Sequence, residues 1–108
     1  MNYVGIFQQA DNDAEILTLM ECGENVMVGA CGFAWVTLRN NIKGKRNPLG
    51  KELERLGLMS YDDYKKCYYR WIGKYNQSLD HKEAHAKHMS EILTNLIGVN
   101  FSYGSRMD

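Results

Sequence analysis

Three histidines, His81, His85 and His88, fall within one short stretch of a chain of 108 residues. On a helix they would occupy about 60° of its circumference, and imidazoles at i and i+4 can share a zinc or nickel ion. They are the chain's candidate metal ligands. The string HKEAH at 81 to 85 resembles the zinc-protease pattern H-E-x-x-H, but Glu83 follows the first histidine by two residues instead of one. It therefore lies about 200° around the helix from His81 and cannot serve a metal held by His81 and His85, which excludes a metalloprotease. The apolar side of the same helix centres on Met89, Ile92, Leu93 and Leu96. His85 lies about 40° from Met89, and His81 and His88 about 80° to 100° from it. The histidines are thus expected to border the core, with His85 the most buried, and no metal or other cofactor is expected.

Other chemical motifs are incomplete. GKRNPLGKE at 44 to 52 ends in Gly-Lys before a helix, but its glycines are one residue too far apart for a phosphate-binding loop. Glu52 replaces the magnesium-binding hydroxyl, and Pro48 removes a backbone N–H from the cradle. Ser78, Ser102 and Ser105 lack a G-x-S-x-G context, and no cysteine lies near a histidine in sequence. A non-enzymatic role is the expectation.

The same region supplies a basic loop, Arg39, Lys43, Lys45 and Arg46, ahead of a segment carrying Tyr69, Trp71 and Tyr75. A sheet that places these side by side would offer stacking surfaces with a phosphate-binding rim, as sheet-based binders of single-stranded nucleic acid do. The competing expectation is that the aromatics are core under the helices. No RNP-type signature decides between them.

The elements that must position these groups are read from local pattern. Residues 3 to 20 suggest one or two short helices interrupted near Asp11-Asn12-Asp13, with Ile16, Leu17, Leu19 and Met20 as the apolar side. Residues 25 to 28 suggest a short strand, separated by Gly29 from CGFAWVTL at 31 to 38, whose apolar character on both faces predicts a central strand. The two could form a hairpin. Asn47 as N-cap, Pro48 at the first position, Leu49, Leu53 and Leu56 on one side and Gly57 as the stop predict a short amphipathic helix. Ser60 is expected to begin a helical turn, followed by a strand over about 67 to 75. Asp80 and Glu83 read as a capping box for a long helix ending at Gly98, after which Val99, Phe101 and Tyr103 alternate in a last strand. If the strands at 67–75 and 99–105 are parallel neighbours, the helix between them is a right-handed crossover.

Together these predict an α+β fold: a small three- to four-stranded sheet with two main helices packed on one face, preceded by an N-terminal helix. The length fits one domain over 1–108, with an N-terminal helical segment (1–24) and a sheet–helix core (25–108). No apolar run approaches the roughly 20 residues of a membrane span, and the start lacks the features of a signal peptide. Cys22, Cys31 and Cys67 cannot all pair, and Cys31 and Cys67 sit in apolar segments as small hydrophobes; both facts favour reduced thiols in a cytoplasm. Formal net charge is zero, yet residues 1 to 38 contain no Lys or Arg and carry Asp11, Asp13, Glu15, Glu21 and Glu24. The polarity could steer a charged partner, or cancel where acidic and basic segments pack together.

CGFAWVTL at 31 to 38, YNQS at 75 to 78, KEAHA at 82 to 86 and the terminal YGSRMD at 103 to 108 resemble a group of small, uncharacterised tailed-phage proteins. Their members carry a similar C-G-F-A-W-V strand, a Y-N-Q-S turn into an Ala-rich helix and an ending like G-S-R-[LM]-D. The resemblance covers roughly residues 30 to 108. It implies a phage-encoded protein working in the host cytoplasm and supplies no activity. The present chain departs from it at His85 and His88, where those relatives tend to have Tyr and other non-ligand residues. Among the motif positions, Asn76, Gln77, Ser78, Arg106 and Asp108 are polar without an obvious packing role and become the binding-site candidates. On parallel neighbouring strands they would meet at one sheet edge, where α/β sheets often bind ligands; alternatively Asn76 to Ser78 form only a turn, and Arg106 pairs with Asp108.

The leading expectation is therefore a phage accessory protein that binds a host macromolecule, most simply a protein. The alternatives are a nucleic-acid binder using the basic loop 39–46 and the aromatic strand, and a small enzyme or ligand binder with a pocket near Asn76 and Arg106. No membrane partner is expected, and a homo-oligomer is open.

Overall fold

A computed structural model describes residues 1–26, 30–39, 45–76 and 78–107. The elements run α1 (Tyr3–Cys22), β1 (Gly32–Leu38), α2 (Pro48–Arg55), β2 (Ser60–Asp62), β3 (Cys67–Trp71), α3 (Leu79–Ile97) and β4 (Ser102–Met107). The strands form one sheet in the order β2-β3-β1-β4, every neighbouring pair antiparallel. The class is α+β, with an N-terminal helix first.

β1 is central, as its doubly apolar sequence requires. Gly32, Ala34, Val36 and Leu38 are buried and alternate with half-buried Phe33, Trp35 and Thr37, so the strand has one fully covered face and one partly open face. The covered face lies under the helices. Gly50 of α2 abuts the Tyr68 ring, Phe7 of α1 meets Phe101 edge-on, and α3 spans β1 and β4. Phe7, Ala10 and Ala14 of α1 share a single core with Val36, Leu38, Leu53, Tyr68, Met89 and Leu93.

Several local expectations hold, and others give way to tertiary contacts. The Asn47 side chain accepts hydrogen bonds from the backbone N–H groups of Leu49 and Gly50, and Pro48 opens α2. Gly57 takes φ 75° just past the helix end, while Leu58 N–H donates to the Leu53 carbonyl. α1, by contrast, is one unbroken helix capped by Asn2. Its buried stripe is Phe7, Ala10, Ala14 and Thr18, whereas Ile16 and Met20 are 59% and 78% exposed. Asp11 does not interrupt it because its carboxylate is held by partners on other elements, which overrides a weak local preference.

Ser60 begins a strand and no helical turn. β2 and β3 form a hairpin whose turn is fastened by Asp62, accepting from the N–H groups of Tyr64 and Lys65. β3 stops at Trp71, short of the expected residue 75, because Tyr75 and Asn76 turn the chain with φ 71° and 50°. α3 is capped by Ser78, whose side chain accepts from His81 N–H, and not by Asp80. It ends at Gly98 in the left-handed conformation, as the sequence requires. β3 and β4 each run antiparallel to β1 and lie on either side of it, so they are not neighbours. Residues 27 and 28, half of the expected 25–28 strand, and Gly29, its expected separator from β1, lie outside the described residues.

Gly50 provides a test of this packing. In most helices Gly→Ala stabilises by about 0.5–1 kcal/mol, but here an added Cβ would lie 2.2 Å from the fully buried Tyr68 ring. Gly50→Ala is therefore expected to destabilise, by about 1–3 kcal/mol, when unfolding is followed in urea.

Candidate functional site

Each histidine of the expected comb turns toward α1 or the residue after it. His81 Nε2 lies 2.7 Å from the Gly23 carbonyl oxygen and its Nδ1 2.7 Å from Ser78 Oγ. His85 Nε2 lies 2.7 Å from Asp11 Oδ1 and its Nδ1 2.6 Å from the Tyr75 hydroxyl. His88 Nε2 lies 2.6 Å from Glu21 Oε2. Among the described residues no three metal-ligating side chains converge. His85 is fully buried, as expected, but His81 is 1% exposed, deeper than a core-border position. The reason is geometric: α3 is covered by the sheet on one side and by α1 on another, so its buried arc is wider than its apolar stripe and takes in His81, Lys82, His85 and Ser90.

The Asp11–His85–Tyr75 chain has the order of a proton relay. With the proton on Nε2, His85 donates to Asp11 while Tyr75 O–H donates to Nδ1. Burial opposes its use as one. It pushes the Tyr75 phenol up to about 12, and a fully buried imidazole is out of reach of a substrate. Lys74 closes the network, 3.2 Å from Asp11 and 2.6 Å from Glu15. Burial alone would raise the Asp11 carboxyl, but hydrogen bonds and charge from His85 and Lys74 carry it below its ordinary value. Burial also depresses His85, more than Asp11 restores. The acidic segment is thus partly neutralised by the packing. Tyr75, expected on the aromatic strand, lies against His81 and His85 in this layer.

The expected polar site is divided. Ser78 is 3% exposed and committed to capping α3, and Asn76 belongs to the turn before it. Gln77 and Asp108 lie outside the described residues. The two ends do approach each other, since Cys31 bridges to Ser78 and Gly32 pairs with Met107, but across an antiparallel β1 and not as parallel neighbours. Arg106 points to the opposite face of the sheet, where its guanidinium lies 5.6 Å from the Phe33 ring centroid.

The basic loop is also dispersed. Arg46 pairs with Glu54 and Asp63 and lies 4.0 Å over the Tyr61 ring. Tyr61 pairs directly with Tyr68, so Arg46 sits toward the helix side of the sheet. Arg39 follows β1 near Asn100 and Ser102, Lys45 is exposed, and Lys43 lies outside the described residues. Cys67 is buried as expected, whereas Cys31 is exposed.

What the sheet does bring together is an aromatic face. Directly paired residues share a side of an antiparallel sheet, so the Trp35↔Trp71 and Thr37↔Tyr69 pairs, with Phe33 two residues along β1, lie opposite the helices. Trp71 is the hub: edge-on rings of Trp35, Phe33 and Tyr69 stand 5.1, 5.8 and 6.1 Å from it. It is 49% exposed. Gly104 of β4 leaves room for the Trp35 indole, and an added Cβ there would lie 2.7 Å from that ring. Two exposed cations rim the cluster, Lys65 over Trp35 at 5.2 Å and Arg106 over Phe33 at 5.6 Å, while the buried Lys82 of α3 also approaches Phe33, at 5.6 Å. A concavity of about 200 Å³ lies among Trp35, Asp62, Lys65, Tyr69, Trp71 and Arg106. That is below the ~300–1,000 Å³ of pockets that enclose small molecules, so the face suits stacking better than engulfing. Of these groups the sequence singled out Tyr69, Trp71 and Arg106. Phe33, Trp35 and Lys65 went unassigned, although the alternation within CGFAWVTL was their available signal.

No protein-family model matches this chain, and no curated protein or solved structure matches it.

The pH dependence of stability follows from the buried network. A group whose folded pKa is depressed binds its proton more readily when unfolded, so its contribution is complete above the unfolded value and is lost as pH falls. Stability should therefore decline below about pH 6.5 as the unfolded form of His85 takes up protons, and decline further below pH 3.8, the ordinary Asp11 value. Urea titrations at stepped pH check this, and His85→Asn should flatten the upper part of the profile.

Proposed function

We propose that this chain is a non-enzymatic binding module that holds single-stranded nucleic acid against the open face of its sheet, bases on Trp35, Trp71, Tyr69 and Phe33 and phosphates on Lys65 and Arg106. The observation that carries this reading is the aromatic cluster on the side of the sheet away from the helices, rimmed by the exposed cations Lys65 and Arg106 with Asp62 as the nearby carboxylate. A flat apolar patch left exposed costs solvation unless something covers it. Bases supply planar faces that stack on aromatic rings regardless of sequence, and phosphates supply the charge that the rim complements. Duplex DNA stacks its bases inside, so its edges gain less from this surface.

The basic part of the site differs from the one expected from sequence. Lys65 and Arg106 take the place of the loop before α2, whose Arg46 is engaged in ion pairs. The resemblance to small tailed-phage proteins supports an accessory role inside a host cell, where single strands arise during replication and transcription. Among the described residues no helix is long and apolar enough to cross a membrane.

Both tryptophans of the chain are on this face, so binding has an intrinsic reporter. Ten-nucleotide homopolymers should quench tryptophan fluorescence saturably, with affinity falling steeply as salt rises. Trp71→Ala should weaken binding about 5- to 150-fold, the range for losing one stacked base, measured by anisotropy of a labelled strand. Arg106→Gln should weaken it and reduce the salt slope by about one. Absence of quenching with every homopolymer, or unchanged affinity in Trp71→Ala, would remove the proposal.

A further inference from the structure

We propose that the free edge of β4, together with the groove between β4 and α3, takes an extended basic segment of a partner protein as a fifth strand of the sheet. The inference uses the edge and the helix side of the sheet, so it stands independently of the open face.

β4 pairs with β1 in unbroken register from Thr37↔Ser102 to Gly32↔Met107. Among the described residues it has a neighbouring strand on that side only. Sheets usually protect such an edge by keeping it short, by a bulge, by proline or lysine, or by a covering element. β2, the opposite edge, is three residues long. β4 is six residues long, SYGSRM, with Arg106 as its single charge, directed to the open face, and without proline or a bulge. Its outward backbone groups are a template for one more strand.

The helix side of this edge is a shallow, open trough. A groove of about 680 Å³ runs between Phe101–Ser105 and the α3 residues Glu83, Ser90 and Glu91. α3 runs antiparallel to β4 along it: Ser105 Oγ donates to Glu83 at one end, and Phe101 N–H donates to Thr94 Oγ1 at the other. Tyr103, 42% exposed, lies between these contacts. Glu83 and Glu91 are both exposed. Eight residues of helix separate them by about 12 Å, close to the ~13 Å spanned by four residues of a strand. Positions four apart on an added strand point to the same side. The fitting occupant therefore carries two Lys or Arg at i and i+4 facing α3, with a small or apolar residue at i+2. Lys87, exposed and four residues from each glutamate, lies about 40° from both around the helix and offsets part of their charge, but the groove lining does not include it.

The test uses the full chain and a terminally blocked nine-residue peptide of alternating threonine and valine, with lysines at its third and seventh positions. Backbone amide resonances of Ser102–Met107 should shift saturably on titration. Glu83→Gln and Glu91→Gln, both at exposed positions, should each weaken binding about two- to fivefold. N-methylation of alternate peptide amides on the pairing side should abolish it. Four results would overturn the proposal: no saturable shift up to millimolar peptide, equal binding by a peptide with glutamates in place of the lysines, indifference to N-methylation, or shifts confined to Trp35 and Trp71.

Discussion

His85 sits where α1, α3 and the turn after β3 meet, fully buried and hydrogen-bonded at both ring nitrogens. A polar group in that position is tolerable only while both partners are present, because each unsatisfied nitrogen would cost about 1–3 kcal/mol. The requirement fixes Asp11 and Tyr75 in place, and with them the position of α1 on α3 and the tight turn at Tyr75 and Asn76. Lys74 extends the constraint to Glu15. The helical layer is thereby held on one side of the sheet, and the Phe33, Trp35, Tyr69 and Trp71 side is left without a helix over it.

One-sided packing also explains the unequal treatment of aromatic residues that look alike in sequence. Tyr68 and Tyr69 are adjacent, and strand alternation sends the first into the core beneath Gly50 and the second to the open face. Tyr75 leaves the strand altogether and packs against imidazoles. The cations divide similarly. Arg46 and Lys74 pair with carboxylates in the helical layer and its margins, whereas Lys65 and Arg106 lie over aromatic rings of the open face. The segregation of charge in the sequence thus reduces to local neutralisation on one side of the molecule and a small basic excess on the other.

The two proposed surfaces follow from the same architecture. An antiparallel sheet covered on one face exposes its other face and at least one edge. Here the face carries rings and cations, and the edge carries backbone groups beside Glu83 and Glu91 of α3. They are physically separate, the first on the side away from the helices and the second between α3 and β4, with β4 contributing Arg106 to one and its backbone to the other. Occupying either leaves the other accessible.

Local chemistry alone determined the features that depend on a few adjacent residues: the Asn47-Pro48 start of α2, the Gly57 and Gly98 stops, the central strand at CGFAWVTL, and the failure of HKEAH as a protease motif. These are steric and hydrogen-bonding facts settled within a turn or two of chain. The continuity of α1 through Asp11, the hairpin at Ser60, the cap at Ser78 and the burial of His81 were decided only by tertiary contacts. So was the separation of Arg46 from Trp71. In each case a polar group's best partner lies far away in sequence, as with Asp11 and His85 or Gly23 and His81. Sequence pattern shows which side chains alternate along a strand; only the packed helices decide which side of the alternation is covered, and that choice left Phe33, Trp35, Tyr69 and Trp71 on a partly open face.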